Sequence, residues 1–298
     1  MRTPLLLRCL ALAVVPVLAC SSASSPGGGG GSGGTGGTGG TGGHDSGTTD
    51  ANRGVLPPPP PAVATNPYGV PYPTTNIGIS PRGGTSATST PGNVIANFAF
   101  LGYFNADQGT LTVDTGSPTV ISLSDFYDPA EKKYKVLHLN VAARWCSPCN
   151  DEADALTCSG PNMPASSGIY CSGATSNSAQ GLAASGAAIF SLLTEGTSMG
   201  TGATVADLQA WIAGKSIDYD MGIDPEQQNL GVFFPEAAIP WNADIDTRTM
   251  EILDASVGYD GMLVQDIGGW VSWVEDNPPS YPCPKGYTLS KYVCVEGS

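Results

Sequence analysis

The chain has 298 residues, with 12 Lys and Arg against 26 Asp and Glu, 40 Gly and 25 Pro, and a formal net charge of −14. This argues against a nucleic-acid partner, because phosphate binding rests on clustered Lys and Arg; it equally weakens docking on anionic lipid by charge alone. Gly and Pro crowd into roughly the first ninety positions, so only the remainder is expected to carry a core.

Residues 1–19 read as an export signal. Arg2 and Arg8 lead into an apolar run from Cys9 to Leu18 that ends at the small Ala19. The run is too short to span a bilayer, which takes roughly 20 apolar residues, and it contains Pro16. Val17-Leu18-Ala19-Cys20 resembles a bacterial lipobox, which implies that Cys20 becomes the acylated first residue of the mature chain. Ser21 rather than Asp follows it, which by resemblance to lipoprotein sorting favours the outer membrane. The expected location is therefore the cell envelope, lipid-anchored, facing the periplasm or the cell surface.

Residues 20–93 are expected to form a disordered tether. The stretch from 27 to 43 is almost pure Gly with Ser and Thr, the composition of a flexible coil. Pro57 to Pro61 is a proline run that predicts a stiffer, extended spacer. Up to about Gly92 the chain stays rich in Pro, Thr, Ser and Gly with few aliphatics, which predicts loosely held coil.

From Val94 the pattern changes. Short strands are predicted at Val94–Leu101, Thr110–Val113 and Thr119–Leu123. Val136–Val141 is a near-continuous apolar run of the kind buried on both faces, and Ala187–Leu193 is a second. Thr204, with Asp207 three residues on, predicts the capped start of a helix reaching Gly214. A third buried strand is predicted near Ile245–Leu253, and Leu263–Val274 has the spacing of a closing helix. Strands alternating with helices imply an α/β domain over 94–277, a mixed sheet flanked by helices.

The cysteines carry the chemistry. Besides Cys9 and Cys20, the chain has Cys146, Cys149, Cys158, Cys171, Cys283 and Cys294. In an exported protein these are expected as disulfides; local pairing (146–149, 158–171, 283–294) is the simplest of several open connectivities. Cys146-Ser147-Pro148-Cys149 follows the buried strand and precedes a helix-forming stretch. A thiol at a helix N-terminus is acidified by the unpaired N–H groups and the dipole there, so Cys146 is the expected nucleophile and Cys149 the resolving thiol. Arg144 is a candidate to assist the thiolate, whereas Asp151, Glu152 and Asp154 oppose it.

VLHLNVAARWCSPCNDE, residues 136–152, resembles the active-site strand, turn and helix of the thioredoxin superfamily, with Trp145 before the cysteine pair and Pro148 inside it. It is most similar to the membrane-anchored periplasmic thiol-disulfide oxidoreductases of the TlpA/ResA type. Those carry Asn in the strand, here Asn140, and often Glu three residues after the second cysteine, here Glu152. The resemblance implies that Glu152 tunes the cysteine pair or relays protons to it. Ala238 to Asp246 resembles the segment that places a cis-proline beside the cysteines. By that resemblance Pro240 is cis, Ile239 offers its backbone to an extended substrate, and Trp241 either lines that groove or packs in the core. Thr157–Ala179 reads as an inserted loop stapled by Cys158 and Cys171, and 278–298 as an extension closed by Cys283 and Cys294.

The reading is an exported, lipid-anchored thiol-disulfide oxidoreductase acting on protein disulfides, more as a reductant. It implies protein substrates, an electron-transfer partner, a monomer, and neither cofactor nor metal. Cys146, Cys149 and Glu152 are the expected catalytic residues; Trp145, Ile239 and Pro240 are the expected substrate contacts. The alternative is a surface-tethered binding module on the same fold, its Cys146–Cys149 bridge merely structural. Zinc is set aside, since Cys146, Cys149, Cys158 and Cys171 do not form a double CxxC and the compartment favours disulfides.

Overall fold

The computed structural model describes residues 58–84, 89–105, 113–158, 178–234 and 238–297. In chain order the strands and helices are β1 (Ala99–Tyr103), β2 (Thr119–Ser122), β3 (Val136–Ala143), α1 (Ser147–Thr157), α2 (Ser178–Ser185), β4 (Ala187–Glu195), α3 (Val205–Lys215), β5 (Asp220–Ile223), β6 (Trp241–Asp246), β7 (Glu251–Val257), α4 (Leu263–Asp276), β8 (Tyr287–Ser290) and β9 (Val293–Glu296). Among the described residues, β1 to β7 form one sheet in the order β2-β1-β5-β4-β3-β6-β7. β4 runs parallel to both β3 and β5, and the remaining pairs are antiparallel.

Every residue of β3 is buried, which follows from its position between β4 and β6 with both faces covered. Period-two alternation divides its side chains. Leu137, Leu139 and Val141 join Phe100, Phe126 and Phe190 on one face, and Val136 and Ala142 join Leu156, Leu182, Leu208, Val264 and Ile267 on the other. Helices cover that second face. The predicted closing helix is α4, and its buried stripe is Leu263, Val264, Ile267, Val271 and Val274. The start of α3 is likewise as predicted: Thr204 caps it, and Asp207 completes the reciprocal capping box.

The first face is covered by chain without regular structure, and here the tether expectation is corrected. Residues 62–84 and 89–93 are packed onto the domain: Val70 and Tyr72 belong to the core, and the Tyr72 hydroxyl donates to the Ile95 carbonyl at 2.9 Å. Asn66 accepts from the Tyr68 and Val70 amides and donates to the Tyr127 carbonyl at 2.8 Å. Arg82 pairs with the buried Glu251 at 3.1 Å. Few aliphatics were needed, because aromatic area and side-chain hydrogen bonds to backbone do the fastening. The expected signal, Cys20 and the Gly-rich run lie outside the described residues.

The predicted strand over Ile245–Leu253 is two strands. β6 and β7 pair around a turn at Thr247–Met250, with Asp246 accepting the Met250 amide and Met250 at a φ of 60°. Val94–Phe98 precedes its strand, which starts at Ala99; Thr110–Thr112 lie outside the described residues. β5 was not predicted. It meets β1 at Gly102 and Gly222, where a Cβ on Gly102 would fall 2.2 Å from the Met221 carbonyl oxygen, so only glycine fits. The C-terminal extension is the expected disulfide-closed hairpin, β8 against β9 with Cys283 bonded to Cys294. Arg248, in the β6–β7 turn, holds it by donating to the Tyr292 carbonyl at 2.6 Å while its fork grips Asp246.

Candidate active site

β3 ends at Ala143, and after Arg144 and Trp145 the chain enters α1 with Cys146 as its N-cap. Pro148 sits in the first turn, where a missing N–H costs nothing. Cys146 and Cys149 are joined as a disulfide, and the Cys146 sulfur accepts the Cys149 amide at 3.2 Å. The sulfur that would carry the negative charge of a thiolate is therefore already met by a helix-start N–H and the positive end of the α1 dipole.

Facing it is the entry into β6. The Ile239–Pro240 bond is cis, as expected, and the Ile239 carbonyl oxygen lies 3.8 Å from the Cys146 sulfur. Pro240 is buried, and its own carbonyl accepts the Gly258 amide at 2.8 Å, which ties the segment to the end of β7. A cysteine pair leaving the central parallel strand, opposed by a proline segment entering its antiparallel neighbour, decides the architecture. This is a thioredoxin-like fold. No family model and no curated protein matches the chain. Among solved structures it is similar to a secreted thiol-disulfide isomerase from Corynebacterium glutamicum (18% identity, 60% of this chain and 86% of that one, TM-score 0.41). It is also similar to the thioredoxin domain of a thiol-disulfide oxidoreductase from Bacteroides vulgatus (14%, 61% and 98%, TM-score 0.39). A third is an exposed lipoprotein thioredoxin from Streptococcus pneumoniae (18%, 58% and 99%, TM-score 0.34).

Within the thioredoxin-like fold, Glu152 lies three residues after Cys149 and so on the same side of α1. It is 2% exposed and its two oxygens are divided between two amides. Asn140 donates to Oε2 at 2.7 Å and Asn242 donates to Oε1 at 2.6 Å. The Asn140 amide also donates to Asn242 Oδ1 at 2.9 Å, and Ser191 donates to Asn140 Oδ1 at 2.5 Å. Burial pushes the Glu152 carboxyl up to about 7, against the opposing pull of the Asn242 amide, the His138 charge and the Asn140 amide. A cleft of about 350 Å³ reaches it from the β7 and α4 side, lined also by Asn242, Asp254, Ser256, Tyr259 and Asp266. The carboxyl thus borders this cleft on one side and belongs to the cysteine helix on the other.

Arg144 does not face the sulfurs: its guanidinium is paired with Asp207 at 2.8 Å. Asp154 is likewise neutralised, by Lys215 at 2.8 Å. Trp145 is exposed at the rim and its indole N–H donates to Glu195 at 2.5 Å, an orienting contact that the sequence did not announce. Trp241 packs in the core against Phe233 and Phe234, at ring distances of 4.9 and 5.7 Å, not in a groove. Asn242 and Ser191 were also missed, although the Asn140 rung of the sheet, once in register, points to both. Cys158 ends α1 and is disulfide-bonded; its expected partner Cys171 and nearly all of the inserted loop lie outside the described residues.

Proposed function

We propose that the protein is an exported, lipid-anchored thiol-disulfide oxidoreductase acting on protein disulfides, with Cys146, Cys149 and Glu152 as its catalytic residues. The observation that carries this reading is the Cys146–Cys149 disulfide at the start of α1, with the Cys146 sulfur 3.8 Å from the Ile239 carbonyl. In the reducing direction, the Cys146 thiolate attacks one sulfur of a substrate disulfide, and the other substrate sulfur leaves as a thiolate. Cys149, deprotonated to Glu152, then attacks Cys146, closes the observed disulfide and releases the reduced substrate. Trp145, Ile239 and Pro240 form the substrate face, an extended segment lying along the Ile239 backbone.

Export and the lipid on Cys20 rest on the N-terminal sequence alone, and so does an outer-membrane location facing the periplasm or the cell surface. A reductant needs an electron-transfer partner to restore the dithiol, and the chain is proposed to work as a monomer. The test is the reduction potential of the Cys146–Cys149 pair in the full chain, equilibrated against glutathione and dithiothreitol buffers. A value near or below about −270 mV supports a reductant, and one near about −120 mV an oxidant. A bridge that resists reduction until the domain unfolds removes the reading and leaves a binding module.

A further inference from the structure

On the helix-facing side of the sheet, β3 and β6 carry two polar rungs in succession. One is Asn140 opposite Asn242, the pair that holds Glu152; the next is His138 opposite Asp244. Side chains two apart on a strand stand about 7 Å apart on one face, so the second rung lies directly behind the first. His138 is fully buried, and its Nδ1 is 2.9 Å from Asp244 Oδ1. Its Nε2 is buried too and has no hydrogen-bond partner among the described residues.

Packing alone does not account for this ring. Its neighbours toward the start of β3 and across on β4, Val136 and Ile189, are apolar, and a leucine there would bury no unsatisfied nitrogen. What the ring adds is a group able to carry a proton. Carboxylates face it from three elements: Asp244 of β6 in direct contact, with Glu152 of α1 and Asp266 of α4 within reach of its field, while Asp254 of β7 and Asp260 before α4 act in turn on Asp266. β4 contributes none, since the residue beside His138 there is Ile189.

We propose that His138, aimed by Asp244, is a positioning residue for the thiol-disulfide reaction, its charge setting how readily Glu152 releases the proton it exchanges with Cys149. The inference rests on the redox reading of the cysteine pair given above. When a donor dithiol attacks Cys146, the Sγ–Sγ bond breaks, Cys149 leaves with the electron pair as a thiolate, and it takes a proton from Glu152. The donor ends as a disulfide once Cys146 is released, and Glu152 recovers its proton from water in the cleft. When the ring carries a proton, the positive charge behind the carboxyl makes Glu152 the stronger acid and favours that transfer.

The test follows the Glu152 carboxyl carbon by NMR in the oxidised full chain, with Glu152→Gln to assign it. In His138→Gln the Glu152 midpoint is expected to rise by about one pH unit. The bend in the reduction potential against pH should move with it. A folded His138→Gln protein with an unmoved midpoint overturns the proposal. If that variant does not fold, the wild type decides: the His138 ring nitrogens should step at the Glu152 midpoint, and the step should vanish in Glu152→Gln. No such step overturns the proposal equally. A bridge that resists reduction removes the functional reading and this role with it, whereas a reducible bridge with an unmoved carboxyl removes this role alone.

Discussion

Asn140 and Asn242 stand opposite each other across β3 and β6, and each gives one amide hydrogen to a different oxygen of Glu152, at 2.7 and 2.6 Å. Two donors favour the charged carboxylate, yet burial outweighs them and holds the group up near about 7. Removing one donor should tip the balance further. In Asn242→Ala the Glu152 midpoint is expected to rise by about one pH unit, read as a carboxyl carbon titration.

The same carboxyl makes stability depend on pH. Its proton is retained between about 4.5 and about 7 in the folded chain and lost over that range in the unfolded one, so the folded state binds more protons there. Stability therefore falls as pH rises through that window. Denaturant unfolding of the oxidised protein should show wild type losing about 3 kcal/mol relative to Glu152→Gln between pH 4.5 and 8. A constant difference between the two proteins would contradict the assignment.

The roles of the two cysteines separate by trapping. Cys149→Ser leaves the Cys146 nucleophile without a resolving thiol, so a mixed disulfide with a cystine-containing peptide should accumulate and be seen by mass spectrometry. Cys146→Ser should give no such adduct. Equal trapping by both variants would mean that either sulfur can start the reaction.

The segment 62–93 should contribute measurably to stability. A fragment beginning at residue 94 gives up the burial of Val70 and Tyr72, each worth about 1.5–3 kcal/mol, together with the Arg82–Glu251 pair. It should unfold at lower denaturant than one beginning at residue 58. Coincident unfolding curves would show the segment to be a passive wrapping.

Much of this architecture was legible because local signals and burial agreed. β3 is an apolar run because it is central, α3 announces itself with Thr204 and Asp207, and the cysteine pair marks the start of α1. What escaped reading depends on register. β5 is four residues long and is held where Gly102 and Gly222 let two backbones close up, which no periodicity reports. The β6–β7 turn hid inside an apolar stretch because Met250 is buried core within a turn. Asn242 becomes a site residue only once it faces Asn140, and the packing of 62–84 escaped reading because its fastenings are polar and aromatic.

The path of that segment governs how the fold answers mechanical load. A pull on the chain ahead of Pro58 meets the Asn66–Tyr127 bond, then Tyr72 on Ile95, then Arg82 on Glu251, before it reaches β1. These fastenings lie in series, on the face of the sheet away from α1 and along the β7 edge. Tension on a leash would be spent peeling this strap, and the sulfurs at the head of α1 would keep their alignment with Ile239 until it had gone.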